Sequence, residues 1–156
     1  MSVLPALELS RRPKPWPVAF AHGPHKPQAD VLVLDSGGLS RLSARTKTAA
    51  ALIWAFNDEE LWPPIVPSMV LVESLRGNPR RDANTHRFLK MCIVDTLVSE
   101  RVARRAAELR TSAGAGSAVD ALVVAIAEPG GTVLTGDAAD IEALAAVADN
   151  VSVELI

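Results

Sequence analysis

The chain has 156 residues, 49% of them apolar, and a formal net charge of −2. That length fits one domain, and that composition supplies a core and excludes global disorder. Cys92 is the only cysteine, which excludes an internal disulfide and a cysteine zinc cluster. No apolar run is long enough to span a membrane, and a lone cysteine fits a reducing, cytoplasmic setting.

Residues 1–29 carry prolines 5, 13, 15, 17, 24 and 27 and read as an appendage, extended or docked through Trp16, Val18 and Phe20. Arg11-Arg12 lacks a following apolar segment, so it is not an export signal. Residues 30–156 form the domain proper. Val31-Leu32-Val33-Leu34 is a strand buried on both faces. A helix is expected from Leu39 to Phe56, with Leu42, Ala49, Leu52, Ile53 and Phe56 inward. Ile65-Val66 is a second strand. Ser68 reads as the N-cap of a helix through Arg76, stopped by Gly77. Asp82 to Met91 is helical, with Cys92 a small buried hydrophobe, and Ile93 to Val98 is a third strand. Ser99 and Ser117 cap two helices, the first ending near Gly114-Ala115-Gly116 and the second running from Ala118 to Glu128. Thr132–Thr135 is a strand, Ala138–Ala148 a helix and Val151–Leu155 a final strand. Strands alternating with helices imply an α/β fold with a mostly parallel five-stranded sheet flanked by helices.

Four carboxylates stand out. Asp35 and Asp137 directly follow strands, at the edge where ligands bind in an open α/β sheet. Glu73 and Asp120 are single charges in apolar helical stretches, where an unpaired buried carboxylate is expensive. Four converging acids repel, a divalent cation resolves the repulsion, and oxygen-only ligands favour Mg²⁺ or Mn²⁺. Each acid also has a structural reading. Asp35 and Asp137 suit helix caps, and Asp120 suits a capping box with Ser117. Arg76, one turn from Glu73, could pair with it. No lysine or arginine follows Arg110, while residues 76–110 are basic. Arg41, Arg45, Lys47, Arg76, Arg80 and Arg81 are candidate phosphate contacts. Acids that gather a cation beside bases that hold phosphates suit a metal-dependent enzyme acting on nucleic acid. His22, His25 and His86 have no metal-ligand spacing, and Trp54, Trp62 and Phe56 read as core or dimer packing.

Val31–Leu39 with Asp35-Ser36-Gly37-Gly38, Val66-Pro67-Ser68 with Glu73, Asp120–Ala127, and Val133-Leu134-Thr135-Gly136-Asp137 together resemble a PIN domain. More narrowly, they resemble the small VapC toxins of bacterial toxin–antitoxin pairs, over Val31 to Ile156. The resemblance implies a three-layer α/β fold, a Mg²⁺- or Mn²⁺-dependent endoribonuclease, a homodimer and inhibition by a VapB-type antitoxin. It carries Asp35 and Asp120 over as metal ligands, Glu73 as the second acid and Asp137 as the fourth, with Asp140 competing. Thr135 matches a supporting hydroxyl, and Ser36 follows the first acid. Gly37-Gly38 departs from the bulkier residues of many relatives and predicts a flexible first loop. The proline-rich start lies outside the resemblance.

A receiver-type domain would need a lysine after a late strand, and a haloacid-dehalogenase-like phosphatase an acid at position 37, where Gly37 stands. The alternative from another class is an inactive PIN-like module that binds RNA or a partner.

Overall fold

A computed structural model describes residues 30–156; the expectations for residues 1–29, including His22 and His25, lie outside them. The elements are β1 (Leu32–Leu34), α1 (Ser36–Ser43), α2 (Lys47–Asp58), β2 (Ile65–Pro67), α3 (Ser68–Ser74) and α4 (Ala83–Leu89). They continue as β3 (Ile93–Asp95), α5 (Glu100–Ala113), α6 (Ala118–Ala127), β4 (Thr132–Thr135), α7 (Ala138–Ala145) and β5 (Ser152–Leu155).

The five strands form one sheet in the order β3-β2-β1-β4-β5, every pair parallel. β1 is central, and Leu32, Val33 and Leu34 are all buried, which is why the run carries no polar alternation. α1 packs against α2, α3 and α4, while α5, α6 and α7 pack against one another. The sheet is thus flanked by helices in a three-layer α/β arrangement, consistent with a PIN-like fold. α6 is apolar almost throughout because it contacts β1, β4, α5 and α7. No single helix among the described residues is long and apolar enough to cross a membrane.

The expected first helix is two. Arg45 adopts a left-handed backbone (φ 57°), and Thr46 starts α2 by accepting a hydrogen bond from the Ala49 amide at 3.1 Å. A side-chain cap can restart a helix inside a sequence whose apolar spacing continues past it. Leu42, Ala49 and Phe56 are buried as expected, whereas Trp54 is 70% exposed and packs into no core. Trp62 meets Phe88 edge to face at 6.0 Å. Ser68 is not an N-cap: Pro67 holds that position without a side-chain cap bond, and α3 ends at Ser74 because Leu75 turns extended. β3 stops at Asp95, whose carboxylate accepts from the Leu97 amide and turns the chain. Cys92 is half-buried, its thiol pushed up to about 12 by desolvation.

Ser99 and Ser117 cap α5 and α6 as expected, and Gly114 ends α5 in the left-handed conformation (φ 63°).

Candidate metal centre

Successive strands run from β1 towards β2 on one side, while β4 joins β1 on the other. The chain order therefore switches direction between β1 and β4. The carboxyl ends of those two strands form the crevice where an open α/β sheet binds ligands. Asp35 leaves β1 there, and its amide still reaches the Leu134 carbonyl of β4. Asp137 leaves β4 at the same edge, two residues after Thr135.

Asp35 is only 7% exposed. Its Oδ1 accepts from the Gly38 amide at 2.6 Å, capping α1, and its Oδ2 accepts from the Thr135 hydroxyl. Thr135 is fully buried and also binds the backbone of Asp137, accepting from its amide at 3.0 Å and lying 2.9 Å from its carbonyl. One hydroxyl thus joins the ends of β1 and β4.

Desolvation pushes the Asp35 carboxyl above its ordinary range. The Gly38 amide, the Thr135 hydroxyl and the Gly37 amide oppose this, while the negative charge of Asp120 adds to it. Burial wins because the hydrogen bonds do not replace lost hydration.

Gly37 and Gly38 correct the expectation of a flexible loop. Both lie in the first turn of α1, pressed on β4 and its exit. A Cβ on Gly37 would stand 2.5 Å from the Gly136 nitrogen, and one on Gly38 would collide with the Leu134 carbonyl. They are glycines because the backbones touch.

The other acids are arranged differently. Asp120 is half-buried and completes a capping box: its Oδ2 accepts from the Ser117 amide at 2.8 Å, and its own amide donates to Ser117 Oγ at 3.1 Å. Asp137 is exposed and caps α7 through the Ala139 amide at 3.4 Å. Asp140 is exposed in the first turn of α7. Glu73 is exposed at the end of α3 beside exposed Val72, so its apolar surroundings in sequence do not bury it. Its pairing with Arg76 is not formed either, since the ion pairs of the described residues involve Arg104 and Arg105. Among the described residues no three His, Cys, Asp or Glu side chains are gathered into a metal-holding group.

The negative charge of Asp120 adds to the rise of the Asp35 carboxyl, and carboxylate oxygens suit a hard divalent cation. Asp137 stands at the same sheet edge through Thr135, and Glu73 remains at the outer end of α3. The sequence marks Asp82 only as the start of a helix, a cap-type residue after Asn78-Pro79, and gives no sign of its burial before α4.

A comparison with protein-family models matches none of them, and a comparison with curated proteins returns no match.

Proposed function

We propose that this chain is a Mg²⁺- or Mn²⁺-dependent endoribonuclease of the PIN, VapC-like kind, acting in the cytoplasm as the toxin of a toxin–antitoxin pair. The observation that carries the reading is the buried Asp35 carboxylate at the β1/β4 switch, raised by burial and by the charge of Asp120. A carboxylate kept there against its own desolvation gains from a cation, and structural capping alone would not require a second charge nearby.

Asp35 and Asp120 would hold the ion, and Glu73 and Asp137 would complete its outer shell, position the water or recruit a second ion. When bound, the ion supplies charge neutralisation at the phosphate and a more acidic water. Thr135 fixes Asp35 by hydrogen bonding to Oδ2, and the Gly38 amide fixes Oδ1. Both oxygens are thereby oriented before substrate arrives, so no reorganisation is needed during the reaction. In-line hydrolysis leaves a 5′-phosphate and a 3′-hydroxyl. The reading includes a homodimer and a VapB-type antitoxin that blocks the acidic crevice.

The test is cleavage of a mixed RNA pool with Mg²⁺ or Mn²⁺ and with chelator. Metal-dependent cutting that falls about a hundredfold or more in Asp35→Asn and Asp120→Asn is expected. Equal cutting by wild type and Asp120→Asn would sink the scheme.

One observation favours an inactive binding module: Asp120 and Asp137 both serve as helix caps, and Glu73 stands exposed. RNA binding without metal-dependent cutting would select that reading.

A further inference from the structure

Asp82 is 4% exposed and occupies the N-cap position of α4, yet its side chain makes no cap bond to that helix. It turns back into the preceding loop. Oδ1 accepts from the Arg76 amide at 3.1 Å, and Oδ2 from the Arg76 and Asn78 amides at 3.2 and 3.0 Å. Asn78 repeats the device one step on: its Oδ1 accepts from the Arg80 and Arg81 amides at 3.1 and 3.2 Å. Gly77 supplies a left-handed residue (φ 68°) in open space, so the loop bends there without strain. Four backbone amides are thus tied by two side chains.

What the loop displays is charge. Arg76, Arg80 and Arg81 are all exposed, and none pairs with a carboxylate among the described residues. Burying a carboxylate to order a loop that adds little to the core is costly unless the ordered loop is used. It follows a helix that starts at the same sheet edge as the candidate metal centre. The loop leaves the end of α3, which starts at the carboxyl end of β2, beside β1. Seven helical residues span about 10 Å.

We propose that residues 75–82 form a phosphate-binding arm. Asp82 fixes the backbone that carries Arg76, Arg80 and Arg81, and the three arginines bind the sugar–phosphate backbone of a single-stranded RNA substrate. The inference rests on reading the chain as one that acts on RNA. Asp82 is a positioning residue: it acts through the arginines and does not itself meet the RNA. Preordering matters because a free loop would lose conformational entropy on binding.

The experiment measures binding of a fluorescent single-stranded RNA of mixed sequence to the full chain, in chelator, over a range of salt. The loop triple Arg76→Gln, Arg80→Gln, Arg81→Gln is compared with a charge-matched triple on α5, Arg101→Gln, Arg104→Gln, Arg110→Gln. Removing three phosphate contacts should weaken binding at least tenfold and lower the slope of log K against log salt by about 2. The α5 triple should leave the slope unchanged. Asp82→Asn keeps every arginine but loses part of the amide network, so it should weaken RNA binding several-fold with the thermal transition retained. The loop triple needs no change in the buried anchor, so it tests the arm even if Asp82→Asn unfolds.

Equal loss in both triples, or an unchanged slope in the loop triple, overturns the proposal. So does RNA binding that ignores the loop while binding of poly-glutamate depends on it, which would assign the arm to an acidic protein partner. Failure of the nuclease reading looks different: loop-dependent RNA binding persists, but wild type cuts no RNA when Mg²⁺ or Mn²⁺ is supplied.

Discussion

At the scale of single residues, Asp35 and Thr135 set the chemistry of the crevice, and they respond to substitution in opposite ways. The Asp35 carboxyl is raised in the folded chain, chiefly by desolvation. A raised acid stabilises the fold most below its unfolded value and loses that contribution as pH climbs through the folded one. At neutral pH the ionised Asp35 therefore costs stability when no metal is present. Asp35→Asn removes the charge and keeps the shape. Its amide can donate to Thr135 Oγ1, freeing the hydroxyl proton for the Asp137 carbonyl already 2.9 Å away. The expected result is a higher Tm for Asp35→Asn than for wild type in chelator at pH 7, with the gap closing in acid. Mg²⁺ or Mn²⁺ should raise the Tm of wild type and leave the variant unmoved. Thermal melts at several pH values, with and without metal, check both, and a lower metal-free Tm for the variant would contradict the argument. Thr135→Val is the reverse case. The methyl fills the same space but strands the buried Asp35 Oδ2 and removes the acceptor of the Asp137 amide, so a loss of about 1–3 kcal/mol is expected by chemical denaturation. Thr135→Ser should recover most of it.

At the scale of elements, the first turn of α1 is a backbone-to-backbone joint with the end of β4. Gly37 faces Gly136 and Gly38 faces the Leu134 carbonyl, with no room for a methyl. Gly38→Ala should force α1 away from β4, costing about 1–3 kcal/mol as overpacking does. It should also pull the Gly38 amide from Asp35 and lower activity. Gly77→Ala is a useful contrast: nothing lies near its Cβ, so only its left-handed φ is taxed. Denaturant midpoints for the pair give the comparison, and equal losses would mean that the joint does not matter. These contacts show what kind of feature sequence reading could reach. The caps Ser99, Ser117 and Thr135-Gly136-Asp137 were legible because a cap is a local pattern: a short polar side chain beside the helix it starts. The α1–α2 break was not, because Leu42, Ala49 and Phe56 keep apolar spacing across it. Glu73 failed for a related reason: apolar neighbours such as Val72 suggest burial only if something covers them, and Val72 is exposed.

At the scale of the whole molecule, the alternation of apolar runs and amphipathic stretches revealed five strands and their parallel sheet: β1, β2 and β4 read as continuous apolar runs because they are buried, and the more exposed edge strands β3 and β5 were legible from their valine-rich runs between helical stretches. It also put Asp35 and Asp137 at one edge. It could not reveal what holds the helical layer of α5, α6 and α7 together, since those partners lie far apart in sequence. Besides the apolar packing of Leu109, Val124 and Leu144, Glu128 at the C-terminus of α6 ties that helix to α5 and to the loop before β5. Its carboxylate takes two hydrogen bonds from Arg105 of α5, at 2.7 and 2.8 Å, and one from the Asp149 amide before β5, at 2.7 Å. Burial pushes the Glu128 carboxyl up, but the Arg105 hydrogen bonds, the Asp149 amide and the Arg105 charge together bring it below its ordinary 4.5. A lowered acid contributes its stability above the unfolded value, and the contribution is lost as pH falls through the folded one. Glu128→Gln should therefore destabilise the fold at neutral pH by about 1–2 kcal/mol, a figure discounted because Arg105 is partly in water. Below about pH 4.5 the wild-type advantage should shrink, as the native carboxylate takes up its proton. Because the tie sits at α6 rather than at the β1/β4 crevice, added Mg²⁺ or Mn²⁺ should shift both melting curves equally. Coincident wild-type and Glu128→Gln curves from pH 3 to 8 would show that the Arg105–Glu128–Asp149 contact adds nothing to the stability of the layer, and a constant gap would show that its contribution does not depend on the Glu128 charge.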